Sequence, residues 1–400
     1  MTDAPDIIQR LAAKGDGVTG DGRYFAMTAP GDRIADDGMV VPGPHHADPA
    51  CRHYPACGGC QMQHVDEASF AGFVRDRVAG AIAGQGLTAG TVLPPHISPP
   101  GSRRRASLRA IRTGGGVRIG FSTEQSHHVV DMTMCAILHP ALFALVAPLR
   151  ELLPDMIADR QGAHVKMTLT DQGVDLLIEG VTADSLAQAE ALIAFAQAHG
   201  LARLSVDDGY GPQTRWEPEP VTVTFGGVPV AFPPYAFLQA TQDGETTLLD
   251  AARPAIADAR VFADLFTGLG TFALGLGNGR GAYAAEAARD HILALKAAGA
   301  RAGRKLAADH RDLFRRPLTA QELDRFDAIL LDPPRAGARE QAAQLAQSRV
   351  PAIAYVSCNP GSFARDAKML VEGGYTLESV KPVGQFRWST HVELAAVFRR

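Results

Sequence analysis

The hydrophobic positions in the last third of the chain fall into short, uninterrupted apolar runs separated by stretches of helical character. These runs occupy residues 261–266, 281–285, 328–331, 353–356 and 394–398. Strands that are apolar on both faces and alternate with helices are typical of a parallel sheet covered by helices on both sides. We therefore predict a doubly wound, Rossmann-like α/β domain over residues 241–400.

A different pattern precedes it, because apolar and polar residues alternate along the segments 106–111, 165–169 and 174–178. Alternation with a period of two is typical of strands that bury one face. The Ala-rich segment 185–199 has helical character. These features predict a central domain of mixed α+β structure, which we place at residues 46–240.

The N-terminal segment, residues 1–45, contains short β segments broken by glycines and a Pro-Gly-Asp turn at 30–32. It predicts a small β-barrel or the remnant of one. Residues 42–66 are rich in Pro, His and Cys and have no apolar period, so a metal centre is expected to hold this loop together.

At 400 residues the chain is long enough for two or three cores. We expect a cytoplasmic protein without membrane contact, because the sequence has neither a secretory signal nor a long uncharged apolar stretch. The formal net charge of −4 argues against bulk electrostatic coating of nucleic acid. Any RNA binding must therefore come from a local basic patch.

A ligand-binding turn is predicted where the run 261–266 ends, because the glycines that follow let the backbone approach a small molecule. Glu286 ends the next run and could accept hydrogen bonds from ribose hydroxyls. The glycine pattern differs from the dinucleotide fingerprint, and an Asp at its start suits S-adenosylmethionine better. The predicted cofactor residues of this turn and the strand after it are Asp264, Phe266, Gly268, Gly270 and Glu286. Asp312 either contacts adenine or caps a turn.

Two further motifs follow apolar runs: Asp-Pro-Pro-Arg at 332–335 and Ser-Cys-Asn-Pro at 357–360. Both would lie at the carboxyl edge of the sheet, where ligands bind in open α/β folds. Cys358 is therefore a candidate nucleophile. Glu393, in the sequence His-Val-Glu at 391–393, is a candidate base.

These motifs, with Phe-Leu-Gln at 237–239, resemble those of the bacterial RNA 5-methyluridine methyltransferases, and the likeness extends over nearly the whole chain. The resemblance implies a class I methyltransferase domain that uses S-adenosylmethionine. It implies that Cys358 adds to C6 of uridine, which makes C5 nucleophilic, and that Glu393 then removes the C5 proton. It further implies that Asp332 and Gln239 hold the target base and the cofactor side of the pocket.

Four cysteines, Cys51, Cys57, Cys60 and Cys135, form a candidate metal site. Their spacing alone fits zinc or an iron–sulfur cluster. The pattern resembles the branch of the family that carries a [4Fe-4S] cluster and methylates 23S rRNA, whereas the transfer RNA branch lacks the cluster. The resemblance implies a structural, RNA-positioning cluster and an rRNA substrate. A transfer RNA enzyme and an inactive iron–sulfur RNA-binding protein are the alternatives.

The dense basic run Arg103-Arg104-Arg105, followed by Arg109 and Arg112, predicts phosphate contacts, with a solvated face as the alternative. The N-terminal segment resembles a shortened TRAM-like RNA-binding domain. We expect a monomer that binds RNA.

Overall fold

The computed structural model describes residues 6–123 and 128–400. Its N-terminal part is a small antiparallel sheet with the order β3-β2-β1-β4-β5. The strands are β1 Asp6–Leu11, β2 Gly17–Thr19, β3 Tyr24–Phe25, β4 Arg33–Ile34 and β5 Val40–Val41. Asp32, which is fully buried, accepts hydrogen bonds from the backbone N–H groups of Ala29 at 2.8 Å and Gly43 at 2.7 Å. This carboxylate fixes the predicted turn.

A helix and two short strands follow, and they pack against the C-terminal sheet. They are α1 Glu67–Ala83, β6 Thr91–Val92 and β7 His96–Ile97. The buried face of α1 shares a core with the C-terminal strands and consists of Phe70, Phe73, Val74, Val78 and Ile82. The sequence pattern assigns these residues to the central domain, but their apolar face lies on the C-terminal unit.

The central sheet has the order β13-β12-β11-β10-β8-β9, in which β11 and β12 are parallel and the other neighbours antiparallel. Its strands are β8 Arg105–Thr113, β9 Gly116–Gly120, β10 Gly162–Thr170, β11 Gly173–Glu179, β12 Arg203–Asp207 and β13 Gln213–Trp216. Its helices are α2 Pro140–Phe143, α3 Val146–Leu152, a 3₁₀ turn at Leu153–Asp155, and α4 Leu186–Ala198. The three alternating segments are strands and the Ala-rich segment is a helix, as predicted.

The C-terminal part begins with a hairpin, β14 Thr222–Phe225 and β15 Val228–Ala231. The alternating units that follow are α5 Gln242–Ile256, β16 Val261–Leu265, α6 Thr271–Leu276, β17 Gly281–Glu286, α7 Arg289–Arg301, β18 Leu306–His310, α8 Ala320–Leu323, β19 Ala328–Leu331, α9 Arg339–Gln347, β20 Ala352–Ser357, α10 Pro360–Glu372, β21 Thr376–Gly384 and β22 Glu393–Arg399. Each predicted apolar run is a strand of one sheet, which confirms the α/β prediction.

This sheet has the order β18-β17-β16-β19-β20-β22-β21-β6, and β7 also pairs with β21. The strands from β18 to β20 are parallel, whereas β22 is antiparallel to both of its neighbours. Because β22 runs in the opposite direction, it begins at the edge where the parallel strands end. Within the described part of the chain, no helix has the length and apolar character needed to cross a bilayer.

Candidate active site

The carboxyl edge of the C-terminal sheet brings the predicted catalytic and cofactor residues together. Asp264 and Glu286 lie at the ends of β16 and β17, and Asp332 and Cys358 directly follow β19 and β20. Glu393 is the first residue of β22, beside the end of β20. Residues far apart in the sequence therefore share one edge.

Asp264 is excluded from solvent, and one of its carboxylate oxygens is without a hydrogen-bond partner among the described residues. The other oxygen accepts from the Thr267 hydroxyl at 2.6 Å and from the Ala273 N–H at 2.8 Å. Burial, with the nearby Glu286 charge, raises the pKa of Asp264 to about 7. An unpaired buried oxygen is costly, so this position fits a ligand that brings a donor.

Glu286 accepts hydrogen bonds from the backbone N–H groups of Gly268 at 3.1 Å and Ala288 at 2.9 Å. Each carboxylate oxygen keeps a lone pair that could accept a ribose hydroxyl. Gly268 has φ +56°, and no atom lies within 4 Å of where a Cβ would stand. Gly270, at φ +93°, caps α6, and a Cβ there would lie 2.4 Å from Leu295. The first glycine leaves space beside the turn, and the second permits close packing.

Phe266 adopts a left-handed conformation with φ +64°, and its ring packs 5.4 Å from that of Phe314. Phe314 is 43% exposed and was not among the predicted residues. Asp312 accepts from the Phe314 N–H at 3.0 Å, so it does cap a turn. The two rings form an apolar wall near Gly268, which fits a flat heterocycle such as adenine.

The charge of Glu393 affects the titration of both Cys358 and Asp332. Burial raises the pKa of the half-buried Cys358 thiol to about 11, and the charges of Glu393 and Asp332 add to this rise. Burial raises the pKa of Glu393 to about 7, although a hydrogen bond from Gln385 opposes this. The pKa of Asp332 is raised well above its usual range by burial and by the charges of Glu393 and Asp264. The protonation state of Glu393 is therefore sensitive to pH near neutrality.

Two buried amides connect the cluster. Gln239 donates from Nε2 to Asp332 at 3.4 Å, and Gln385 donates from Nε2 to the Gln239 side-chain oxygen at 2.8 Å. Since Gln385 also bonds to Glu393, the amides link the two acidic groups. Sequence reasoning identified Gln239 but missed Gln385, because a glutamine in a loop carries no local signal.

The loops carrying Asp332 and Cys358 are tied together. Asn359 caps α10 through the Gly361 N–H at 3.0 Å, and its Nδ2 donates to the Arg335 carbonyl at 3.2 Å. The Ser362 hydroxyl donates to the same carbonyl at 3.0 Å. These bonds restrict the motion of both loops.

The four predicted metal-binding cysteines are free thiols that line one cavity of about 20 Å³. Cys51 and Cys60 are buried, and Cys57 and Cys135 are half-buried. A common cavity with four sulfur donors suits the donor set of a four-thiolate centre. In the ranges 6–123 and 128–400, however, no group of three or more His, Cys, Asp or Glu has the arrangement needed to hold a metal ion. The metal site therefore stays a prediction.

The arginine run, for which the sequence predicts phosphate contacts, is partly buried. Arg104 is buried, pairs with Glu245 at 2.6 Å and donates from Nε to the Gln239 carbonyl at 3.1 Å. Arg112 donates to the Ile157 carbonyl at 2.8 Å. The phosphate prediction is wrong for Arg104, whose guanidinium neutralises a buried carboxylate.

Arg103 and Arg105 lie against aromatic rings. The Arg103 guanidinium lies 5.6 Å from the Phe121 ring centre and 5.3 Å from that of Phe386. Arg105 lies 4.5 Å from the Tyr235 ring centre. Both arginines are half-buried, so their positions are set by the rings as much as by solvent.

Comparison with known proteins indicates the same kind of enzyme as the residues of the site. Residues 303–400 match the family model described as tRNA (Uracil-5-)-methyltransferase. An uncharacterized RNA methyltransferase of Zymomonas mobilis is 51% identical and covers 98% of this chain and 99% of its own length. A 23S rRNA (uracil(1939)-C(5))-methyltransferase of Halomonas elongata is 30% identical over 97% of this chain and 87% of its own.

Among solved structures, the tRNA (uracil-54, C5)-methyltransferase of Pyrococcus abyssi, in complex with S-adenosyl-L-homocysteine, superposes with a TM-score of 0.77. The alignment covers 100% of both chains at 20% sequence identity. At this identity the likeness describes the fold, which is the class I methyltransferase α/β fold.

Proposed function

The chain belongs to the family of S-adenosylmethionine-dependent RNA uracil-C5 methyltransferases, and from this premise we propose that it methylates C5 of a uridine in 23S rRNA. Cys358 acts as the nucleophile and Glu393 as the general base. The observation that carries this proposal is the placement of a half-buried thiol directly after β20 and of a buried carboxyl at the start of the neighbouring strand β22, both at the ligand-binding edge of the sheet.

Cys358 begins the reaction by forming a bond from its sulfur to C6 of the uracil ring. The thiol proton passes to solvent as this bond forms, because the thiolate is the nucleophile and the pKa of the half-buried thiol is about 11. The electron pair of the C5–C6 double bond moves toward O4, which leaves C5 nucleophilic. When bound, S-adenosylmethionine would supply the electrophilic methyl group that C5 takes, and S-adenosylhomocysteine would be the leaving group.

Glu393 completes the reaction by removing the proton from C5. The electrons of that C–H bond re-form the C5–C6 double bond, and the bond from C6 to the Cys358 sulfur breaks. A carboxylate whose pKa lies near 7 is a stronger base than an ordinary glutamate and is still ionised at slightly alkaline pH. The bond from Gln385 orients this carboxylate.

The cofactor is held, in this proposal, by Asp264, Phe266, Gly268, Gly270 and Glu286. The unpartnered Asp264 oxygen suits the ammonium of the methionine part, and the Glu286 oxygens suit the ribose hydroxyls. Asp312 caps the turn that carries Phe314, whose ring would pack against adenine. Gln239 donates a hydrogen bond to Asp332, which follows β19 at the same edge of the sheet as Cys358, and both side chains would contact the target base.

The rRNA substrate is supported by the Halomonas relative, which matches the chain over most of both lengths. The transfer RNA alternative is kept, because the family model is described by a transfer RNA activity. Mapping 5-methyluridine in both RNAs from a deletion strain separates them. Loss at one ribosomal position supports the proposal, whereas loss only in transfer RNA contradicts it.

The four cysteines are proposed to hold a [4Fe-4S] cluster with a structural role. Their common cavity and free thiols support this, and the reaction itself needs no electron transfer. Protein purified without oxygen should be brown and contain iron and sulfide. Colourless protein with one zinc per chain would instead support the zinc alternative.

The mechanism is tested by RNA that carries 5-fluorouridine at the target position. After methyl transfer, fluorine at C5 cannot leave as a cation, so the enzyme should remain covalently attached to the RNA on a denaturing gel. The adduct should require S-adenosylmethionine and should disappear in Cys358→Ala. Full methylation of ordinary uridine by Cys358→Ala would contradict C5 chemistry, and no methyl transfer by the wild type to any RNA would indicate an inactive RNA-binding protein.

A further inference from the structure

The loop at residues 385–391 follows β21 and leads to β22, whose first residue is the proposed base, Glu393. It begins with Gln385, which bonds to Glu393, and ends two residues before Glu393 itself. We call it the base loop. On one side it is anchored by Arg387, which donates to the Ser98 carbonyl at 3.1 Å and pairs with Glu67 at 2.6 Å.

The other side of the base loop is held by the cysteine-rich segment. The Trp388 carbonyl accepts two backbone hydrogen bonds, from Gln61 N–H at 2.8 Å and from Met62 N–H at 3.0 Å. Trp388 has φ +59°, a strained conformation for a residue with a side chain, so its neighbours must hold it. Gln61 directly follows Cys60, whose thiol lines the cysteine cavity.

Arg103 makes a second connection between the same two parts. Its guanidinium lies between Phe386 of the base loop and Phe121 of the cavity wall. Its backbone N–H donates to the Ile137 carbonyl at 3.0 Å, and Ile137 also lines the cavity. The backbone of Arg103 is therefore hydrogen-bonded to the segment that carries Cys135.

We propose that the residues lining the cysteine cavity hold the base loop in position. In this proposal Arg103 is a positioning residue that sets the Glu393 carboxylate against the target base. This rests on the proposed function, since it assigns a purpose to the cysteine site within that reaction. The hydrogen bonds to the Trp388 carbonyl hold the loop backbone against Gln61 and Met62. The Arg103 guanidinium holds the Phe386 side chain in place. The alternative is that Arg103 serves as a phosphate contact.

The test compares Arg103→Ala with wild type on ordinary target RNA and S-adenosylmethionine. Misplacing a base by about 1 Å costs up to about 100-fold in rate, so kcat should fall about 10- to 100-fold. Because only the last step is slowed, covalent protein–RNA adduct should accumulate, while KM for RNA stays within about twofold. Arg103→Lys keeps a cation between the rings and should restore most of kcat.

Arg52→Ala is the matched control, because Arg52 is an exposed arginine in the cysteine-rich segment. This variant should behave as wild type. Phe386→Leu removes the same contact with Arg103 from the side of the base loop, so it should show the same loss of kcat and the same adduct. This second variant tests the proposal if Arg103→Ala does not fold. Amide exchange at Gln61 and Met62 should quicken in both variants.

A raised KM for RNA with unchanged kcat in Arg103→Ala would overturn the proposal in favour of a phosphate contact. A fall in kcat without adduct would also overturn it, because the base step would then not be the one affected. Failure of the wild type to form the 5-fluorouridine adduct would count against the proposed function instead, so the two failures are distinguishable.

Discussion

Among single residues, Glu393 gives the sharpest test of the proposed chemistry. Glu393→Gln keeps the shape of the side chain but cannot take the C5 proton, so Cys358 addition and methyl transfer should proceed and elimination should stall. Covalent protein–RNA adduct should accumulate, and turnover should fall by about 100-fold or more. The adduct is measured on a denaturing gel with radiolabelled methyl groups.

Glu372→Gln, an exposed change at the end of α10, is the control for that experiment and should leave turnover unchanged. Rapid turnover by Glu393→Gln would mean that another group removes the proton. His391, two residues earlier and 6.0 Å from the Phe386 ring, would then be the next residue to replace.

Glu393 also links stability to pH. Its pKa is about 7 in the folded protein because of burial, against 4.5 for an ordinary glutamate, so the folded state holds the proton more tightly than the unfolded state. The stabilising protonation is complete below pH 4.5 and is lost as pH rises through 7. Ionising the buried group costs about 3 kcal/mol of unfolding free energy.

Glu393→Gln should therefore stabilise the ligand-free protein at pH 8 by about 2–3 kcal/mol and have little effect at pH 4.5. Urea unfolding at both pH values measures this difference. An equal effect at both would show that the carboxyl does not titrate differently in the folded and unfolded protein.

Among elements, the buried pair of Arg104 and Glu245 joins the start of the central sheet to α5. Arg104→Met leaves Glu245 buried without its partner, which should cost about 3–5 kcal/mol of unfolding free energy. Changing Glu245→Leu in the same chain should recover most of this loss, because an apolar pair can replace a buried ion pair. A double-mutant cycle from denaturant unfolding measures the coupling.

Arg118→Met, an exposed change on β9, serves as the control and should alter the unfolding free energy by less than about 0.5 kcal/mol. If Arg104→Met instead kept its stability and lost RNA affinity, Arg104 would be a phosphate contact after all.

For the whole molecule, α1 is expected to be essential to the C-terminal unit despite its distance in sequence. Its five buried apolar side chains contribute on the order of 10 kcal/mol, which matches the full stability of an ordinary domain. The fragment 217–400, which retains the β14–β15 hairpin, should therefore lack a cooperative urea transition.

Adding residues 66–105 in trans, which supply both α1 and the Arg104 partner of Glu245, should restore that transition, as judged by near-ultraviolet circular dichroism. A peptide of the same composition in scrambled order is the control. Cooperative unfolding of 217–400 alone would instead show that the C-terminal unit is stable without α1.

Local sequence patterns were enough to predict the strands of the C-terminal sheet, the turn after β16, and Cys358 and Asp332 as strand-end residues. These features are local, since an apolar run predicts a buried strand and the next residues lie at its end. Because these strands are parallel, their carboxyl ends then lie at one edge of the sheet. Glu393 was identified by its motif, but its position follows from the antiparallel direction of β22.

The folded chain was needed to show the partners of Arg104, the position of Gln385 and the location of α1. Arginines and glutamines look like surface residues in any local window, because their burial depends on a partner more than a hundred positions away. In the same way, the apolar face of α1 predicts that something covers it but not which sheet does. Contacts between distant segments carry that information, and in this chain they position the proposed base and the residues around it.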